Sequence, residues 1–431
     1  SMVVLAMLVP LAVLVPQHVA HAASSAPLLP GETLWNGVPS YMFGGDDTYN
    51  YEAGFDSNTS IQSQVKAAGV PLIRASMETV DETNGNPVPD SKNIQIAQAI
   101  QNSGATCMAD LVQPVTVSQA LHLVSILRPY CSIFEVYNEP DYSPAVTEPN
   151  YMTFWNSFVP QARAQFPGTL YGGPVLADEY GLNDPNYMQN FLADAAASGV
   201  APDFVSFHWY ICGNGQSTCL SDTANSTPTH GKTVANWIAQ DFPGKSIPLG
   251  ITEWNADPGN PSYAYDDAFM SQFEQTALTG FEQNPYLSFA TEFSLADFAG
   301  WGTLDMFRLD SGEAYTNTPA AIGSPRPMFT TLANEIASES GGTGGGSTPT
   351  PTPTNPPPAA PSISGFSPSS GAVGATVTLN GSGFTGATSV SFNGVAGTHL
   401  VDTSDSQVSA DVPSGATSGP VSVTTPNGTA T

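Results

Sequence analysis

The chain has 431 residues, of which only 11% are charged, and nine Lys plus Arg against 37 Asp plus Glu leave a net charge of −28. Such a chain repels phosphate backbones and anionic lipid surfaces, which argues against nucleic acid and membrane surfaces as partners. Its length suffices for one large α/β domain with a small second one. At the start, residues 1–22 form an apolar run broken by Pro10 and Pro16 and closing on Ala20-His21-Ala22. That small-x-small ending reads as a secretory signal peptide. The rival reading, a retained anchor, suffers because the proline-broken core falls short of the ~20 residues that a spanning helix requires.

From 34 to 340, strand-like and helix-like segments alternate. Strands are expected at 41–44, 71–75, 105–112, 133–136, 169–173, 204–210, 247–255 and 286–293. Helices are expected at 61–68, 93–102, 117–127, 151–165, 187–197, 233–240 and 264–278, with a closing helix at 329–336. Eight strand-plus-helix units in succession predict a parallel (β/α)8 barrel. Residues 341–360 change character: a Gly-rich tether passes into a Thr/Pro spacer, which marks a linker. Residues 361–431 are short Val/Thr/Ser alternations separated by Gly-Ser, Asn-Gly and Pro-Ser turns, an all-β pattern.

An oxidising compartment gives the four cysteines meaning. Cys212 and Cys219 bracket a Gly/Asn/Ser-rich loop after the sixth strand, and a disulfide there would stiffen the barrel's rim. Cys107 and Cys131 sit at the starts of two adjacent strands, where a disulfide and two buried thiols fit equally well. Zinc motifs of the Cys-x-x-Cys and His-Glu-x-x-His types are absent from the sequence.

Chemistry is concentrated at two strand ends. Phe134-Glu135-Val136-Tyr137-Asn138-Glu139-Pro140-Asp141 begins as a buried strand and stops at a proline, presenting Glu139 at the strand's carboxyl mouth. Ile251-Thr252-Glu253-Trp254-Asn255 ends another strand in the same way, 114 residues from glutamate to glutamate, about three barrel units. Two carboxyls facing across one barrel mouth suit double-displacement glycoside cleavage, one protonating the leaving oxygen and one attacking the anomeric carbon. Retention predicts a carboxyl separation near ~5.5 Å. An ionised Glu253 beside a Glu139 kept protonated by apolar walls would divide the two roles.

These motifs resemble those of clan A of the retaining glycoside hydrolases, and within it they are most similar to glycoside hydrolase family 39; the resemblance spans roughly 34–340. It implies Glu139 as general acid/base, Glu253 as nucleophile and Asn138 as the group holding the sugar 2-hydroxyl. His208 and Tyr210, ending the sixth strand, match the pair that orients the nucleophile, and Arg74 matches the second-strand arginine placed near it. No metal or cofactor is implied for the reaction. Trp254 and Trp301 are candidate platforms for a pyranose face, and Glu179 is a candidate rim residue. Each has an ordinary alternative: Arg74 as a structural ion pair, His208 as a core histidine, the tryptophans as packing. Glu292 lacks the Trp-Asn successor and reads as a decoy. Residues 361–431 look like an IPT/TIG immunoglobulin-like module, carried by Gly381-Ser382-Gly383-Phe384 and Phe392-Asn393-Gly394. Lacking Trp and Tyr, the module reads as a spacer or cell-wall attachment unit, with weak polysaccharide binding as the alternative. The expectation is a secreted retaining glycosidase of a poly- or oligosaccharide; a catalytically silent carbohydrate-binding or adhesion protein on the same barrel is the competitor.

Overall fold

The computed structural model describes residues 21, 23–47, 55–80, 86–112, 116–142, 146–212, 216–256, 267–296, 304–308, 323–341, 361–384, 387, 389–404, 406–425 and 428–431. The expected signal segment apart from His21, Trp301 and nearly all of the linker lie outside them. Eight parallel strands form the central sheet: β1 (Gly44–Asp47), β2 (Leu72–Met77), β3 (Thr106–Leu111), β4 (Ile133–Val136), β5 (Leu170–Gly172), β6 (Val205–Ile211), β7 (Leu249–Ala256) and β8 (Phe289–Glu292). They are hydrogen-bonded in the order β5-β4-β3-β2-β1-β8-β7-β6. Parallel bridges Gly172↔Phe204 and Leu176↔Phe207 join the two edges, so the sheet closes into a barrel. Closure brings backbone very near side chain: a Cβ on Gly172 would sit 2.2 Å from the Phe204 ring.

The helices between the strands are α1 (Thr59–Ala68), α2 (Asp90–Ser103), α3 (Val117–Leu127), α4 (Glu148–Gln165), α5 (Tyr187–Ser198), α6 (Gln216–Ser226), α7 (Lys232–Asp241), α8 (Asp267–Glu282) and α9 (Pro327–Ser340). Local sequence explains several boundaries. Asn58 caps α1 by accepting from the Ser60 and Ile61 amides, and Gly69 ends it in the left-handed conformation. Thr116 caps α3 in the same manner. Two expectations are corrected. The first strand starts at Gly44 rather than at Tyr41, because 41–43 belong to a 3-10 turn whose side chains are all buried. Gly44 can then lie against β8, where a Cβ would meet the Ala290 carbonyl at 2.7 Å. The segment after β6 is helical from Gln216 rather than a loop as far as Cys219.

Inside the barrel the strand starts are apolar: Leu72, Met108, Ile133, Phe204 and Phe289 form one buried cluster, which Leu29 and Tyr41 from the N-terminal segment stop from below. Cys107–Cys131 and Cys212–Cys219 are both disulfides. The first ties β3 to the entry of β4, and the second ties the end of β6 to α6.

The C-terminal region forms two antiparallel sheets. One contains β9 (Ser362–Ser367), β10 (Thr376–Ser382), β13 (Thr398–Ser404) and β14 (Gln407–Asp411), in the order β9-β10-β14-β13. The other contains β11 (Ser389–Phe392), β12 (Val395–Ala396), β15 (Val421–Thr425) and β16 (Gly428–Ala430), in the order β12-β11-β15-β16. Val377, Leu379, Val390, Phe392, Val408 and Val423 supply its core from alternate strand positions.

Candidate active site

Two residues beyond the apolar floor, the same strands turn charged. Arg74 on β2 is fully buried and contacts carboxylates from four other strands. Its Nη1 donates to Asp46 Oδ2 at 2.7 Å and to Glu253 Oε1 at 2.9 Å, and its Nε donates to Glu135 Oε2 at 2.5 Å. Asp110 Oδ2 lies 3.1 Å from Nη2. A guanidinium presents five donors in a rigid fork, so one cation can serve several carboxylates where an ammonium could not. The remaining donor is used on Asn138, whose side-chain carbonyl accepts from Nη2 at 2.7 Å. That commits the carbonyl end of Asn138 and leaves its amide nitrogen to donate.

Glu139 reaches the site because the chain turns sharply after β4. Tyr137 and Glu139 both adopt left-handed backbone, with φ of 71° and 44°. Non-glycine residues enter that region at a cost of about 1–3 kcal/mol, and such residues cluster at functional sites. The turn is held on both sides, the Tyr137 amide donating to Leu111 and the Glu139 amide to Val175. Asp141 stabilises the neighbouring loop by accepting from the Ala177 and Leu182 amides at 2.9 and 2.7 Å.

His208 and Tyr210 on β6 complete the group. His208 Nδ1 lies 2.9 Å from Glu139 Oε1 and 3.4 Å from Glu253 Oε2, and the Tyr210 hydroxyl donates to Glu253 Oε2 at 2.8 Å. One ligand atom from each of Glu139, His208 and Glu253 can be chosen so that all lie within 4.8 Å of one another. The Glu139 side chain is 25% exposed and that of Glu253 9%. One carboxylate is therefore open to the cleft and the other is held from below by two donors.

The electrostatics differ from the sequence expectation. Burial pushes the Glu139 carboxyl up, but the hydrogen bond and charge of His208, with the charge of Arg74, outweigh it and hold the group below the ordinary carboxylate value. Burial alone would lower His208; the Glu253 charge and the hydrogen bond to Glu139 instead push the imidazole up to about 9. Both shifts run against the expected protonated Glu139 and favour the proton on His208, one hydrogen bond away. Deeper in, burial raises Asp110 to about 8 despite the Arg74 charge, and Asp46 is likewise raised by burial.

Arg74, Asn138, Glu139, His208, Tyr210 and Glu253 are thus brought together. Trp254 is a correction: its ring is 1% exposed and packs against Phe273 and Phe281 of α8, so it offers no face to a sugar. The adjoining Glu253 faces inward, which sends its neighbour outward. Glu179 also lies apart from the carboxylate pair. Its Oε2 is 3.7 Å from His230 Nδ1, and it lines a cavity of about 370 Å³ with Tyr180, Lys232 and Thr233. Trp209 likewise points outward and stacks on His230 with ring centroids 3.8 Å apart. Glu292 is fully buried, with Asn255 Nδ2 3.5 Å from its Oε1. Asp46, Asp110 and Ser206, and any role for Glu135, were missed from sequence. The signal existed, since Arg74, Asp110, Glu135 and Ser206 each stand two places after an apolar floor residue, where a buried barrel strand should stay apolar.

Residues 361–431 match the IPT/TIG domain. For the barrel, no sequence match is found among curated proteins. Among solved structures, the chain is similar to a family 51 α-L-arabinofuranosidase from Bifidobacterium longum, at 14% identity and a TM-score of 0.52, over 73% of this chain and 76% of that one. It also matches a family 51 α-L-arabinofuranosidase from Thermotoga petrophila at 15% identity and a TM-score of 0.46, over 63% of this chain and 66% of that one. At such identities the first likeness is one of fold, the (β/α)8 barrel.

Proposed function

We propose that the chain is a retaining glycoside hydrolase acting on a poly- or oligosaccharide, with Glu253 as nucleophile and Glu139 as general acid/base. The observation that carries this reading is the approach of the two strand-end carboxylates, oxygen to oxygen within 4.8 Å, with His208 touching both. Retaining enzymes hold their carboxyls ≈ 5–5.5 Å apart, whereas inverting ones need ≈ 6.5–9.5 Å to admit a water between them.

Arg74 and Tyr210 orient Glu253 by donating to its two carboxylate oxygens. Glu253 attacks the anomeric carbon as the glycosidic bond breaks, and the leaving oxygen takes its proton from Glu139. Glu139 is supplied by His208 Nδ1, so the two groups hold one proton between them and act as a single acid. When the Glu253 charge is lost in the glycosyl-enzyme, the reason for a protonated His208 weakens. Glu139 is then free to accept a proton from the water that releases the sugar. The Asn138 amide is placed to donate to a hydroxyl of the bound ring. The pair of disulfides and the absence, among described residues, of a helix long and apolar enough to cross a membrane suit a secreted protein. The family 39 likeness of the two glutamate motifs belongs to the same reading, as does attachment to cell wall or polysaccharide through the IPT/TIG domain.

The test is a panel of aryl glycosides that includes α-L-arabinofuranosides, β-xylosides and β-mannosides, followed by product configuration by NMR. Glu139→Gln should lower kcat by about 10²–10⁴-fold, and Glu253→Gln should leave no turnover while both variants fold. Inverted product would refute the mechanism. Binding without turnover across the panel would return the chain to the carbohydrate-binding reading.

A further inference from the structure

A second carboxylate cluster lies at the opposite end of the barrel from Glu139 and Glu253. Glu282 is the last residue of α8, and Glu335 and Glu339 stand in the last two turns of α9. These two helices pack side by side, with Ser271 Oγ and Thr331 Oγ1 2.7 Å apart. One oxygen from each glutamate can be chosen so that all three lie within 4.8 Å of one another. A helix C-terminus carries a partial negative charge that favours cations and disfavours carboxylates. Here two such ends converge with three carboxylates, and neither helix has a basic residue in its last turn.

Two further observations point to a ligand. The Glu282 side chain is 5% exposed, and its Oε1 is buried without a hydrogen-bond partner. Leaving such an oxygen unsatisfied is costly, and more so if it is charged. His21, from the N-terminal segment, brings Nε2 to 3.7 Å from Glu282 Oε2 and 3.9 Å from Glu339 Oε2. Both separations exceed hydrogen-bond length. They approach the spacing of neighbouring ligands around one ion: with oxygen ligands at 2.3–2.6 Å, adjacent donors lie about 3.3–3.7 Å apart and opposite ones about 4.6–5.2 Å apart. The outer carboxylates are already oriented, Glu339 Oε2 by Asn36 Nδ2 at 3.0 Å and Glu335 Oε2 by Gln275 Nε2 at 3.1 Å. Such supporting contacts commonly fix metal ligands in place.

We propose that Glu282, Glu335 and Glu339 form a binding site for an oxygen-preferring divalent cation that joins α8 to α9, where the chain leaves the barrel for the linker; in the full-length chain, before the expected signal segment 1–22 is removed, His21 adds a fourth ligand. The site is structural and separate from the hydrolytic one. Its ligands are spread from residue 21 to residue 339, which is why no short motif announces it.

Isothermal titration of EDTA-treated, dialysed full-length protein with CaCl2 and with MnCl2 tests the proposal. One equivalent of at least one of these ions should bind. Thermal unfolding should shift upward by about 5 °C at a hundredfold excess over Kd. Glu335→Gln and Glu282→Gln should each abolish both effects while leaving glycoside turnover unchanged, which also reports that they fold. Glu139→Gln should keep both effects, and His21→Ala should weaken binding several-fold. Absence of binding by both ions would overturn the proposal, as would binding that survives Glu335→Gln and Glu282→Gln but is lost in Glu139→Gln. A proton shared between Glu282 and Glu335 is the competing way to neutralise the cluster. Stabilisation by acid with no response to either cation would assign the cluster to that proton and overturn the site. His21→Ala binding with unchanged affinity would remove the imidazole from the ligand set.

Discussion

At the floor of the barrel Leu72, Met108, Ile133 and Phe204 close on one another, whereas two residues further along the chain Arg74, Asp110, Glu135 and Ser206 face the same interior as a charged and hydrogen-bonded layer. Neighbouring layers of one interior thus answer different demands. The floor is held by burial, which is non-directional and tolerates repacking so long as volume is kept. The upper layer is held by donor geometry around a single guanidinium, which tolerates very little. The first layer depends on volume and the second on hydrogen-bond geometry.

The largest expected effect comes from breaking the charged layer at its centre. Arg74→Met removes the one cation shared by Asp46, Asp110, Glu135 and Glu253 and should cost about 3–5 kcal/mol, with no turnover in the protein that still folds. Met108→Ala, one layer lower on β3, should cost about 2–5 kcal/mol but leave kcat/KM per folded molecule unchanged. Denaturant melts with active-site titration separate the two, and equal losses of turnover would erase the distinction between layers.

His208→Asn sharpens the comparison within the upper layer. The His208 proton is held up to about 9 by the two carboxylates, and the variant must keep its acid on Glu139 alone. The alkaline limb of kcat/KM should therefore move to lower pH, while the melting temperature changes little by comparison. A limb that stays in place would mean that His208 only packs.

The smallest effect is on the pH dependence of stability. Burial, as the leading cause, raises Asp110 and Glu32 to about 8 and Glu274 to about 7. A carboxyl whose folded value lies above its unfolded value of about 4 binds more protons when folded. Its contribution is full below the unfolded value and is lost as pH rises through 7 to 8. The melting temperature should fall from pH 5 to pH 8.5, with a shallower slope in Asp110→Asn and an unchanged slope in Met108→Ala.

Much of the site was legible because its pieces are local. Asn138-Glu139-Pro140 and Thr252-Glu253-Trp254 each show a strand ending on a carboxylate, and a strand's end in a parallel barrel has only one face to open on. Trp254 could not be placed from the same motif, since an aromatic beside a strand-end glutamate is equally suited to a cleft and to a helix layer. The packing of α8, with Phe273 and Phe281, decided it. The protonation of Glu139 was misjudged for a related reason. The motif predicts its strand, but His208 comes from 69 residues further on.

The sequence by itself determined the alternation of strands and helices, the all-β character of 361–431 and the two strand-end glutamates, because each is written in neighbouring residues and in periods of two or three to four. Tertiary structure alone decided which carboxylates share Arg74, which cysteines pair across strands, that His208 meets both Glu139 and Glu253, and that His21 meets Glu282 and Glu339. Those outcomes depend on distances between groups far apart in the chain and on the loss of water around them, and neither exists until the barrel closes.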